Sequence, residues 1–315
     1  MVMELTATCR WCGRGPIKAE FSFAPPAPVP YLEQDLFHLN SCENCGAWQV
    51  NPYPSPKAAK RFFESAERWL LARDPDNRHV NPIMRSESRR AEYLQYAYAI
   101  KPLLPENGAI LDVGAGTGLM LSLIDTHHRR IAVEPNKIAA QAATDRGVTV
   151  IREWAEDLPP PKVPLAAMIL NQALDHLPRP DLFLFRAQTW LAPGGLLLLG
   201  GLINPRCLGA RIYGPAFRLF HPYHQVYPTP ASVERVLKPM GFELVASWRP
   251  YFQTPYGSVF KFCSAIGSMG KTLIKPSPGR LSPPFPGNTV SYLARKTVLY
   301  KTIKVPEASP SSIPC

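Results

Sequence analysis

The chain has 315 residues, with 35 Lys and Arg against 24 Asp and Glu for a net charge of +11, and is 46% hydrophobic and 19% charged. That length suits one large domain or a core domain with a small appendage. The composition excludes a disordered, charge-rich chain as well as a membrane protein built on long apolar runs. The longest apolar run, at 196–199, falls far short of the ~20 residues that a spanning helix needs and reads as a buried strand. No basic segment leading into an apolar one opens the sequence, so a reducing cytoplasm is expected. The excess charge is concentrated: residues 206–315 hold fourteen basic and three acidic side chains, and the remainder is neutral overall. Such a surface attracts nucleotide phosphates, nucleic acid or an acidic membrane face, unless it serves solubility alone.

In chain order, the first feature is a pair of C-x-x-C motifs, Cys9 to Cys12 and Cys42 to Cys45, separated by a Pro-rich connector and each followed by a glycine, Gly13 or Gly46. Four thiolates in that spacing fit one structural Zn2+, whose binding supplies folding free energy that ~50 residues cannot draw from apolar burial. A redox disulfide or an iron site is a minority alternative. Cys207, Cys263 and Cys315 lack a partner pattern and read as free thiols. Ser55 and Pro56 open a helix expected to reach Arg73, with Phe62, Phe63, Trp69 and Leu70 as its apolar stripe. A second helical pattern spans about 86–104, with Arg85, Arg89 and Arg90 at its start.

From residue 109 short apolar strands alternate with helical segments. Strands are expected at 109–113, 131–134, 149–151, 166–170 and 195–199, and helices near 118–126, 136–146 and 180–191. This alternation predicts an α/β fold whose parallel sheet is covered by helices on both faces. Thr229 and Pro230 start a further helix to about Met240. Strands at 242–248 and 289–295 flank a Pro- and Gly-rich basic insertion. The expected organisation is a zinc-ribbon module at 1–54, a helical linker or cap at 55–105, a core at 106–250, the insertion and last strand at 251–300, and a flexible tail at 301–315.

The segment 110–118 places Gly114, Gly116 and Gly118 between a strand and a helix, where backbone passes close to a ligand and N–H groups stand unpaired. Leu119 stands where a dinucleotide fingerprint would need its third glycine, which disfavours NAD. Glu134 closes the next strand, and a carboxylate there can accept both hydroxyls of a ribose.

With Asp112, Gly114, Gly116, Gly118 and Glu134, the acidic segment 154–159, the stretch 171–177 and the turn 191–195, the sequence resembles the class I S-adenosylmethionine-dependent methyltransferases over about 85–250. The resemblance implies a Rossmann-like, mostly parallel seven-stranded sheet. It also implies that S-adenosylmethionine is held by Asp112 at its methionine end, by Gly114, Ala115, Gly116 and Gly118 beneath it, by Glu134 and Pro135 at the ribose, by Glu156 or Asp157 at the adenine amine, and by Asn171. The cysteine module followed by such a core is similar to bacterial sugar methyltransferases, including nucleotide-deoxysugar C-methyltransferases. In that group a histidine follows the fourth strand, matching His176, and a Glu-His pair follows the fifth, where this chain has Tyr223 and His224.

Proton removal from a hydroxyl, or from a carbon next to a carbonyl, suits an imidazole at neutral pH. His224 is the first candidate for the base, His176 the second, and Tyr223 a hydrogen-bonding or stacking neighbour. The expected acceptor is a small, sugar-like molecule that carries phosphate in some readings. A nucleic-acid (rRNA or tRNA) methyltransferase and a non-enzymatic scaffold are the alternatives. Peripheral membrane contact by 251–285 is left open.

Overall fold

In this computed structural model, residues 3–25, 28–65, 87–124, 126–275 and 281–297 are described. The N-terminal segment supplies β1 (Met3–Glu4), β2 (Ile17–Phe23), β3 (Phe37–Cys42), β4 (Trp48–Val50) and β5 (Tyr53–Pro54). β2, β3 and β4 form an antiparallel ladder, and β1 pairs with β5. Ser55 caps α1 (Pro56–Glu64) by accepting from the Ala58 amide at 3.3 Å, with Pro56 in the first turn where its missing N–H costs nothing. The expected extension to Arg73, with Trp69 and Leu70, lies outside the described residues. Helix α2 (Arg90–Ile100) is shorter than the expected 86–104. Pro102 cannot continue the ladder, and a 3-10 turn over Lys101–Leu103 replaces the last turn.

The rest alternates as expected: β6 (Ala109–Val113), α3 (Leu119–Leu123), β7 (Arg129–Val133), α4 (Lys137–Asp145), β8 (Thr149–Ile151), β9 (Leu165–Asn171), α5 (Pro180–Trp190) and β10 (Leu191–Ile203). Then follow α6 (Leu208–Tyr213), β11 (Val226–Tyr227), α7 (Pro230–Leu237), β12 (Phe242–Trp248), α8 (Val259–Ile274) and β13 (Thr289–Lys296). Seven strands form one sheet in the order β12-β13-β10-β9-β6-β7-β8. Only β13 runs antiparallel to its neighbours. Every residue of β6 is buried, as is every residue of β9 before Asn171, the pattern of strands covered on both faces.

The period-2 alternation divides the core. Leu111, Val113, Met168 and Leu170 face Phe183, Leu184 and Val233 of α5 and α7. Ile110, Ala167, Ile169 and Leu198 face Tyr96, Ile100 and Met120 of α2 and α3. Chain order turns back at β6, which pairs with β7 on one side and β9 on the other. That switch point is where open α/β sheets bind ligands.

Two features go beyond the sequence expectation. β11, far along the chain, pairs antiparallel with β4 and becomes the fourth strand of the N-terminal sheet. The 251–285 stretch, read as an insertion, contains the sixteen-residue α8, capped by Ser258, whose side chain accepts from the Lys261 amide. Its flanking prolines mask a segment that itself holds none.

Candidate active site

The turn from β6 to α3 is built on glycines for steric reasons. Gly114 and Gly118 both have φ of +71°, and a Cβ on either would come within 2.8 Å of Ala173 Cβ or Ala143 Cβ respectively. The Gly114 amide donates to the Val133 carbonyl at 2.8 Å, which clamps the turn to the end of β7. Glu134 follows directly. Its carboxylate accepts from the Gly116 amide and the Asn136 amide, both at 2.9 Å, so loop and carboxylate hold each other.

These residues line a cavity of about 240 Å³ at the carboxyl ends of β6, β7 and β9. Asp112, Gly114, Ala115, Gly116, Glu134 and Pro135 form its floor and one wall, and Glu156, Asn171 and His176 also line it. Gly118 stands behind the loop against α4. Asp157 is turned outward in a 2.9 Å ion pair with Lys60 and does not line the cavity. Lys60, which the sequence does not flag, and Trp154, which opens the acidic segment, line the cavity and join α1 to this wall: the Trp154 indole donates to Glu64 at 3.1 Å. Arg89 also lines the cavity, held by Glu92 at 3.2 Å and by the Tyr256 hydroxyl at 3.2 Å.

The acidic groups are under strain of a useful kind. Burial pushes the Asp112 carboxyl well above its usual range, and the negative charge of Glu134 adds to the effect. Asp112 Oδ1 has no hydrogen-bond partner among the described residues. Burial likewise raises the Glu156 carboxyl, against the pull of its own amide and of Lys60, and neither of its oxygens is partnered by another described residue. Buried acceptors in want of donors, beside a glycine turn, fit a cationic and donor-rich ligand.

On the far wall, His176 Nδ1 lies 2.7 Å from the Tyr223 carbonyl and His224 Nδ1 lies 2.7 Å from Asp175 Oδ2. A carbonyl and a carboxylate can only accept, so each Nδ1 carries a proton, and in the neutral ring the lone pair lies on Nε2. The two rings are 4.4 Å apart. Burial pushes the Asp175 carboxyl up, but the adjoining imidazoles and the hydrogen bond from His224 outweigh it and hold the group below the usual carboxylate range. His176 lines the cavity and His224 stands beside it.

Tyr223 does not join them. Its ring is fully buried, stacked on Phe62 at 4.0 Å, and its hydroxyl donates to the Pro30 carbonyl at 2.9 Å. It ties α1 to the N-terminal segment, because the carbonyl that receives His176 turns the side chain the other way.

The four N-terminal cysteines do meet. Cys9 Sγ stands 3.7 Å from Cys45 Sγ and Cys12 Sγ 3.8 Å from Cys42 Sγ, with all four sulfurs within 4.8 Å of one another. A tetrahedron with the ~2.3 Å Zn–S bond has edges of ~3.8 Å, so the cluster fits zinc. The Trp11 and Ala47 amides point at Cys9 Sγ and Cys45 Sγ, at 3.4 and 3.5 Å. The cluster packs on the core: the Trp11 indole donates to the Ser232 carbonyl at 3.1 Å, and the Arg10 guanidinium donates to the Pro178 carbonyl.

A family model described as a methyltransferase domain matches residues 85–247. The chain belongs to that family, and its seven-stranded sheet is the class I, Rossmann-like form of it. It is an S-adenosylmethionine-dependent methyltransferase, and S-adenosylmethionine is its cofactor. No curated protein matches the chain. Similar solved structures include an S-adenosylmethionine-dependent methyltransferase of Thermotoga maritima, 22% identical, covering 76% of this chain and 97% of its own, at a TM-score of 0.45. Another is the plantazolicin methyltransferase BpumL, 14% identical over 76% of this chain and 98% of its own, TM-score 0.45. A third is the CcbJ methyltransferase of Streptomyces caelestis, 15% identical over 67% of this chain and 96% of its own, TM-score 0.44. Among the described residues no helix is long and apolar enough to cross a membrane.

Proposed function

We propose that this methyltransferase acts on a small, sugar-like acceptor and removes a proton from the methylated oxygen or carbon with the His176–His224 pair. The observation that carries the reading is the buried Asp175 carboxylate on Nδ1 of His224, 2.7 Å away, beside a cavity-lining second imidazole. The bound sulfonium supplies an electrophilic methyl group; the protein's task is alignment and removal of one proton. Proton uptake leaves a positive charge on an imidazole. At His224 that charge is hydrogen-bonded directly to the Asp175 carboxylate, whereas His176 bonds the Tyr223 carbonyl and feels Asp175 through space, so His224 is assigned as the base and His176 as the group that orients the acceptor.

Around the cofactor, Glu134 is assigned to the ribose hydroxyls, with Pro135 packing beside it. Glu156 is assigned to the adenine amine, which provides the donor its carboxylate lacks. Asp112 is assigned to the cationic methionine end, where Arg89 offers the counterpart for a carboxylate. Asn171 and the 114–118 loop complete the floor. Lys60 and Trp154 close α1 over it. The four cysteines are assigned to one structural zinc, and the setting is taken to be cytoplasmic.

Methyl transfer from labelled S-adenosylmethionine to a panel of nucleotide sugars, lipid-linked glycans and tRNA tests the acceptor. Transfer to a sugar hydroxyl or to a carbon next to a carbonyl supports the reading, and transfer to tRNA alone overturns it.

A further inference from the structure

Helix α8 carries an exposed apolar face that the methyltransferase reading does not use. At 3.6 residues per turn, Leu273, Ile266, Val259, Cys263, Ile274 and Phe260, with Gly267 and Gly270 between them, fall in one continuous arc roughly 140° wide that contains no polar side chain. Exposure is high along it: Phe260 83%, Val259 72%, Leu273 67% and Ile274 87%. The opposite face is the one that holds the helix down. Ala265, Met269 and Thr272 are buried there, and Ser268 meets the Tyr213 hydroxyl of α6 at 2.9 Å. The face is therefore fixed before anything binds it, and soluble proteins rarely leave a patch of this kind in water without a partner.

Charge decides the partner. No Asp or Glu occurs between Glu243 and Glu307, while that interval holds nine Lys and Arg. Lys271 borders the apolar arc and Lys275 ends the helix, both exposed, and exposed Arg206 and Arg211 lie on or beside the adjoining α6. A second copy of the chain would bring the same cations against themselves. An anionic bilayer offers acyl chains to the arc and phosphates to its lysines.

We propose that α8 docks the protein on an anionic lipid bilayer, lying in the interface plane with the 259–274 arc at the headgroup boundary. Sixteen residues span about 24 Å, too short to cross the bilayer, so the contact is peripheral. Just before the helix, the Tyr256 hydroxyl bonds Arg89 at the cavity wall, so the docked face and the mouth of the active site share one segment.

Co-sedimentation of the full chain with vesicles tests this, using phosphatidylcholine alone and phosphatidylcholine with about one third phosphatidylglycerol. Binding to the anionic vesicles is expected to be ~10-fold stronger and to weaken at ~0.5 M NaCl. The pair Phe260→Glu and Ile274→Glu should lower it ~10-fold, with an unchanged thermal midpoint and unchanged cofactor affinity. A second pair, Lys271→Glu and Lys275→Glu, should remove the preference for phosphatidylglycerol while leaving the apolar arc intact. Wild-type protein that stays in the supernatant with anionic vesicles, or a Phe260→Glu/Ile274→Glu variant that binds them as well as wild type, overturns the proposal. So does a stable wild-type dimer by light scattering that this variant splits, since the face would then join two copies.

Discussion

Asp175 Oδ2 receives the Nδ1 proton of His224 at 2.7 Å across 49 residues of sequence, joining the turn after β9 to the turn before β11. The bond fixes which nitrogen of His224 can take a proton. His224→Ala is expected to lower the rate of methyl transfer ~10²–10⁴-fold while leaving cofactor affinity nearly unchanged. Asp175→Asn removes the counter-charge without removing the ring and should fall short of that loss. Single-turnover rates at saturating cofactor check both; full rate in His224→Ala would reassign the proton to His176.

The same carboxyl ties stability to pH. Its native-state titration lies below the usual range, so it stabilises the fold above the unfolded value of ~3.9, and that contribution disappears as pH falls through the lower native value. Urea unfolding of wild type and Asp175→Asn should show the wild type ahead at neutral pH and the gap closing as pH falls below the usual carboxylate range.

Asp112 works in the opposite direction. Burial and Glu134 favour its neutral form, whereas a cationic ligand favours the carboxylate. Binding of S-adenosylmethionine should therefore release protons at pH values below the raised native titration, and affinity should climb with pH. Calorimetry in buffers of different ionisation heat measures the released protons; Asp112→Asn should abolish the release.

Glu134→Ala leaves the Gly116 and Asn136 amides without their acceptor and, on the proposed assignment, both ribose hydroxyls as well. A loss of ~1–3 kcal/mol, or about 5–150-fold in S-adenosylmethionine affinity, is expected by calorimetry. A change of less than twofold would place the ribose elsewhere.

Freshly purified reduced protein should contain close to one equivalent of zinc by elemental analysis. Cys42→Ser should lower the unfolding temperature far more than Cys263→Ser, because Cys42 belongs to the four-sulfur cluster and Cys263 is an exposed free thiol on α8. Equal losses would mean that the four sulfurs do not act as one site.

What could be read from sequence was local in sequence. The 114–118 turn and Glu134 meet through a strand pair and a short loop, and the two C-x-x-C motifs declare their geometry by spacing. Asp175 could not be found this way, because its importance arises only where the chain returns 49 residues later. Tyr223 misled for a related reason: adjacency to His224 says nothing of direction, and this ring turns into Phe62. Helix α8 was hidden by the prolines around it, although its own apolar spacing was present, and a two-residue strand such as β11 has no periodicity to detect.

That small strand sets where the chain can be cut. The matched methyltransferase segment starts at residue 85, yet Val226 and Tyr227 inside it pair with Gln49 and Trp48, and the Val50 amide bonds the Gln225 carbonyl at 3.1 Å. A fragment starting at 85 would bare a hydrophobic strand edge two residues beyond His224, together with the seat of Trp11 on α7. Such an edge pairs with whatever strand it meets. The fragment is expected to aggregate rather than to yield a smaller working enzyme, so a minimal catalytic version of this protein must keep the N-terminal sheet.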